Sequence, residues 1–142
     1  MFIWIKKLGL NGEYVPVKCM DGFYRGAWGY MRASRRELDE KLSTDFQPVQ
    51  AHKSEKKLKP GEVVPVDIEI WPHSRVWHKG ESLRVEVGGR FIRTDWYEDA
   101  KIGFDSIEEG THVIHTGGEY DSYLQIPIVP PKYQVGDYIY RG

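Results

Sequence analysis

Apolar and polar positions in this chain alternate with a period of two far more often than with the period of a helix. The clearest stretch is residues 64–71. Val64, Val66, Ile68 and Ile70 share one parity, and Pro65, Asp67, Glu69 and Trp71 share the other. Successive strand side chains point to opposite faces, so this pattern predicts a strand with one face on a core. Leu83, Val85 and Val87 alternate with Ser82, Arg84 and Glu86 in the same way. Leu124, Ile126 and Ile128 alternate with Tyr123, Gln125 and Pro127, and Pro127 places that strand at an edge or a bulge. Residues 2–7 are bulky and partly β-branched, as a buried strand is. Trp28, Tyr30 and Arg32 alternate with Gly29, Met31 and Ala33, which predicts another strand. Residues 14–19, after the turn dipeptide Asn11-Gly12, read as a hairpin partner or an extended edge. Residues 20–26 read as loop, and residues 112–115 as a short strand.

The best helix candidate is 34–42. Ser34 and Glu37 have the capping-box spacing, in which hydroxyl and carboxylate satisfy free amides at a helix start. Leu38 and Leu42 lie four apart on one face. Two leucines support a short connecting helix and no more. Residues 43–58 are polar, with Lys53, Lys56, Lys57 and Lys59 close by, and read as a solvated crossing. Pro60-Gly61 suits a type II turn. Lys79-Gly80 predicts a second turn, and Gly117-Gly118 breaks a strand. Residues 88–110 read as a long loop. Short strands separated by turns, with almost no helix, predict an all-β antiparallel sandwich; a doubly wound α/β fold needs helices that this chain lacks.

Composition narrows the function. The chain has 142 residues, enough for one domain. Its 20 basic and 21 acidic side chains leave a net charge of −1, with no basic field to hold a nucleic acid. Hydrophobic residues at 40% and aromatics at 13% exclude a disordered chain. Cys19 stands alone, so no intrachain disulfide forms; this fits a reducing, cytoplasmic setting. The apolar N-terminal run precedes its lysines, Lys6 and Lys7, which is the reverse of a signal peptide. No apolar run approaches the roughly 18 residues of a membrane span, so no membrane role is expected.

Motifs for chemistry are scarce. No Gly-x-Ser-x-Gly is present, so the strained nucleophile turn of an α/β-hydrolase is missing. Asp105-Ser106 with His112 or His115 could supply triad residue types, but nothing fixes their geometry. His112 and His115 lie three apart, which on a strand sends them to opposite faces and away from a common ion. His73 and His78 flank a turn without a third ligand. Gly117-Gly118 lacks the spacing of a phosphate loop. No metal, cofactor or catalytic residue is therefore expected. A site in the 88–110 region using Asp95, Asp99, Asp105 and His112 has only its acids to recommend it. The aromatics are more informative. Trp28, Trp71, Trp77, Trp96 and Tyr97 exceed what one core requires. Trp71 has the parity opposite to Val66, Ile68 and Ile70, so it should leave the core and pack on a neighbouring domain, a sugar ring or a covering loop.

Four blocks in order carry a family resemblance. Residues 58–72, containing Lys59-Pro60-Gly61-Glu62 and Val66-Asp67-Ile68-Glu69-Ile70-Trp71-Pro72, resemble the C-terminal non-catalytic domain of the X-Pro dipeptidyl-peptidase and cocaine-esterase-like (CocE/NonD) hydrolases. Residues 79–87, from Lys79-Gly80-Glu81-Ser82, are similar to its next strand. Met31-Arg32-Ala33-Ser34-Arg35-Arg36 and His115-Thr116-Gly117-Gly118-Glu119-Tyr120 match two further blocks. The resemblance spans about 1–131 and leaves 132–142 as a tail. It implies a galactose-binding-like jelly roll, without the family's first strands, packed against an α/β-hydrolase domain that carries the Ser-Asp-His triad. Catalytic residues are not carried over, because no position here matches the triad motifs. Trp28, Trp71 and Trp77 are the expected docking residues. The uncovered sheet edge implies closure either by pairing with a second copy or by a rearranged N-terminus. The alternative is a free-standing carbohydrate- or ligand-binding module that stacks sugars on the same tryptophans.

Overall fold

The computed structural model describes residues 1–19, 22–24, 26–90 and 110–129. Two compact units are present, Met1–His112 and Val113–Gly142. In the first, β1 (Phe2–Leu8) runs between β4 (Trp28–Tyr30) and β5 (Ser82–Gly88), antiparallel to both. β2 (Val17–Cys19) and β3 (Gly22–Tyr24) form a separate two-stranded hairpin. The chain is all-β, and among the described residues the only helical element is a 3₁₀ turn, Ala33–Arg35. No helix among them is long and apolar enough to cross a membrane.

β1 is central because its apolar side chains serve both faces. Phe2, Ile3, Trp4, Ile5 and Leu8 are all buried. Asn11-Gly12 turns the chain back as expected, with Gly12 at φ 79°, and Val15 N–H donates to Lys7 O at 3.0 Å. The segment read as loop, 20–26, instead contributes β3.

Residues 64–70 keep their alternation but not their ladder. Val64, Val66 and Ile68 are partly covered while Pro65 and Asp67 are exposed. Among the described residues it pairs with no strand. The segment runs along the outer side of β4, where Trp71 N–H donates to Trp28 O at 3.0 Å. Gly29 permits this approach, since a Cβ there would overlap the Glu69 carbonyl oxygen. A side chain takes one of the carbonyls a ladder would use: Gln50 Nε2 donates to Asp67 O at 3.0 Å.

The 34–42 helix does not form. Ser34 Oγ donates to Glu55 Oε1 at 3.3 Å, and Glu37 accepts from Ser54 and pairs with Lys56. Both capping residues are thus committed to a distant segment. Asp39 Oδ1 accepts the N–H groups of Lys41 and Leu42, closing a side-chain turn. Asp39 N–H and Ala51 N–H then bond to Val49 O and Glu37 O, so 37–51 doubles back on itself. Leu42 is exposed. Two leucines offer too little apolar burial to offset the cost of helix nucleation.

The turns follow the sequence reading. Glu62 N–H bonds to Lys59 O across Pro60-Gly61, with Gly61 at φ 79°. Glu81 N–H bonds to His78 O across Lys79-Gly80. In the second unit, Gly117-Gly118 makes a tight turn closed by Tyr120 N–H to Gly117 O at 3.0 Å. The His115 ring lies tilted against that of Tyr120 with centroids 4.8 Å apart, and Ser122 Oγ donates to His115 O. Residues 112–115 and 123–128 are not paired as strands among the described residues. Most of the 88–110 loop, with Trp96, Tyr97, Asp95, Asp99, Asp105 and Ser106, lies outside them, as does the 132–142 tail.

Candidate functional site

Strand register builds the site. Phe2 pairs with Tyr30 and Trp4 with Trp28, so four rings share one face of the β1–β4 ribbon. Phe2 and Trp4 stack at 5.9 Å, Phe2 and Tyr30 lie 6.1 Å apart, and Trp28 and Tyr30 stack at 5.7 Å. Trp71 completes the row, its ring 4.7 Å from that of Trp28. Each such pair adds about 0.5–1.5 kcal/mol beyond its buried area. Exposure rises along the row. Trp4 is 3% exposed, whereas Tyr30 and Trp71 are 52% and 53% exposed. The inner end is core and the outer end is surface.

At that outer end lies an open cleft of about 160 Å³ lined by Tyr30, Gln50, His52, Glu69 and Trp71. Glu69 Oε1 accepts a hydrogen bond from Gln47 Nε2 at 2.9 Å. His52 sits at φ 54°, a left-handed conformation unusual for a residue with a Cβ.

The charged groups near the sheet are mostly paired. Lys6 bridges Glu86 on the aromatic face, with its Nζ also 5.6 Å from the centre of the Tyr14 ring. Lys7, on the other face, is 7% exposed; its Nζ donates to Val76 O at 2.9 Å and pairs with Glu81. The His78 N–H, followed by the Lys7 ammonium, holds the Glu81 carboxyl below its ordinary value. Burial, reinforced by Arg75, lowers the pKa of His73. Arg75 Nη2 donates to Val15 O, tying the 73–77 segment to the β1 turn.

Among the tryptophans singled out from sequence, the structure brings Trp28 and Trp71 together and keeps Trp77 apart. Trp77 Nε1 donates to Ser82 O at 3.3 Å, at the start of β5 and the opposite edge of the sheet. Sequence reasoning missed Tyr30, Gln50, His52 and Glu69 as neighbours of Trp71. The common parity of Trp28 and Tyr30 was available; the fold-back of 37–51 that delivers Gln50 was not. His112 is exposed, and among the described residues no three His, Cys, Asp or Glu side chains group as metal ligands.

Residues 1–125 match the family described as the X-Pro dipeptidyl-peptidase C-terminal non-catalytic domain. No curated protein sequence matches the chain. Among solved structures, a CocE/NonD family hydrolase from Staphylococcus aureus is 39% identical, with a TM-score of 0.61 over 66% of this chain. The match spans only 17% of that hydrolase. With a family match across most of its length and an antiparallel all-β structure, the chain belongs to the X-Pro dipeptidyl-peptidase C-terminal non-catalytic domain family.

Proposed function

We propose that this domain packs on an α/β-hydrolase catalytic domain and supports it, without chemistry of its own. The observation that carries the reading is the outer end of the aromatic row. Trp71 leaves the apolar parity of its segment, packs its ring at a tilt against that of Trp28, and remains half-exposed. Exposed aromatics of this kind are typical anchors of protein interfaces. Trp28 and Trp71 form the centre of the docking face, with Trp77 a second contact at the other edge of the sheet. Residues 1–131 act as the accessory domain. The lone Cys19 fits a reducing, cytoplasmic setting.

The test is a chimera in which residues 1–125 replace the matching segment of the S. aureus CocE/NonD hydrolase. Docking should shield Trp71, so acrylamide quenching of its fluorescence should be weaker in the chimera than in the isolated chain. A Trp71→Phe variant of each protein identifies its share of the signal. Equal quenching of Trp71 in both proteins would refute docking through this face. The isolated chain should also leave p-nitrophenyl acetate and X-Pro anilides uncut above a heat-killed control; turnover abolished by changing a residue of this chain would overturn the non-catalytic reading.

A further inference from the structure

The cleft beside Trp71 has a chemistry more specific than an apolar docking face. Two of the five described residues that line it, Tyr30 and Trp71, are half-exposed aromatics. A third, Glu69, is an acid with one oxygen occupied by Gln47 Nε2; its second oxygen accepts no hydrogen bond among the described residues. The Gln50 amide donates its Nε2 to Asp67 O, while its Oε1 accepts none among them. Among the described residues, the lining therefore holds two acceptor oxygens that take no donor, one of them charged, beside aromatic side chains. Among the described residues, no lysine or arginine lines the cleft to neutralise the acid.

A ligand matching this lining must be cationic, rich in N–H donors, and flat enough to lie on a ring. An ammonium ion supplies charge and donors but no plane. A sugar supplies a flat apolar face but no charge for Glu69. A guanidinium supplies all three, since its N–H groups can reach several acceptors while its plane stacks on an aromatic face. We infer that the cleft receives an arginine side chain from the docked catalytic domain. The source of that arginine rests on the accessory-domain reading above; the preference of the cleft for a guanidinium does not.

The two parts are tested separately. Agmatine, a guanidinium on a short amine-bearing chain, is titrated into the full chain while the indole N–H signal of Trp71 is followed by NMR, assigned with Trp71→Phe. Butylamine and the neutral butylurea serve as comparisons. Agmatine should shift the signal saturably, butylamine should bind more weakly, and butylurea should give no saturable shift. Glu69→Gln keeps the side-chain shape and removes the charge, and should weaken agmatine binding by about tenfold or more. Its fold is checked by the unchanged dispersion of the remaining indole signals. Equal binding of butylurea, or undiminished agmatine binding by the Glu69→Gln chain, overturns the guanidinium assignment and leaves docking through Trp71 standing. In the chimera, agmatine should compete with the partner's arginine and increase acrylamide quenching of Trp71. A docked chimera that agmatine leaves unchanged overturns the catalytic domain as the source.

Discussion

Gly29→Ala offers a test whose sign separates two physical effects. Gly29 lies in β4 opposite Ile3, and its φ is not in the left-handed region, so alanine incurs no backbone strain. On propensity alone the substitution should stabilise the chain by about 0.5–1 kcal/mol, because glycine loses more freedom on folding. The structure opposes this. The new methyl would overlap the Glu69 carbonyl oxygen and press on the Ile70 backbone. If residues 69–71 stay in place, overpacking costs about 1–3 kcal/mol. If they move away, the bond from Trp71 N–H to Trp28 O is lost, about 0.5–1.5 kcal/mol, together with the Trp28–Trp71 ring contact, a similar amount. Both routes cost roughly the same, so the net expectation after the propensity gain is a loss of up to about 2.5 kcal/mol. Gly89→Ala is the control, since a Cβ there meets nothing and its φ is also outside the left-handed region. Urea unfolding gives the stability, and the exciton couplet of the two tilted, close-packed indoles in circular dichroism reports their contact. A Gly29→Ala chain at least as stable as its parent, with the couplet intact, would refute the placement of residues 69–71 against β4.

Trp4 is nearly completely buried at the centre of β1, so Trp4→Ala should cost about 3–5 kcal/mol, a large part of the roughly 5–15 kcal/mol that holds a domain together; urea midpoints should show Trp4→Phe to be much milder. Stability should also fall with acid in two stages. The folded pKa of His73 lies below 6.5 through burial and Arg75, so the unfolded chain takes up this proton first and stability declines as pH drops below about 6.5 toward the folded value. Glu37, held down by the Ser54 hydroxyl and then Lys56, and Glu81, held down by the His78 N–H and then Lys7, stabilise the fold fully above their ordinary value of 4.5, an effect lost as pH falls through their lower folded values. Urea midpoints measured across this range should show both steps, and His73→Gln should abolish the first; a flat profile down to the carboxylate range would exclude the role given to His73.

What could be read from the sequence was local. Parity identified the partly covered side of residues 64–70 and the outward turn of Trp71, because side-chain direction in an extended chain depends only on position. The turns at Gly12, Gly61, Gly80 and Gly117 were legible because each needs a positive φ that glycine supplies cheaply. Pairing was less legible. Nothing near residues 64–70 says that Gln50 takes a carbonyl a neighbouring strand might have used. The capping box at Ser34 and Glu37 misled for the same reason: its hydroxyl and carboxylate suit a helix start equally well as bonds to Glu55 and Ser54, and distant contacts decided between them. The cleft was hidden because the five described residues that line it come from three separate stretches of chain, and only Trp71 departs from its local pattern.

The place of β1 between β4 and β5 has a consequence for synthesis. Its partner β5 lies on the order of 80 residues downstream, and ribosomes add about 5–20 residues per second. The hydrophobic segment at Phe2–Leu8 therefore waits roughly 5–15 s with one flank unpaired after it is translated. Contacts so distant along the chain also form slowly. Throughout that interval the nascent polypeptide displays a sticky, extended run of apolar side chains, which makes early chaperone capture a condition of good yield and makes premature chain termination upstream of Ser82 a route to aggregates.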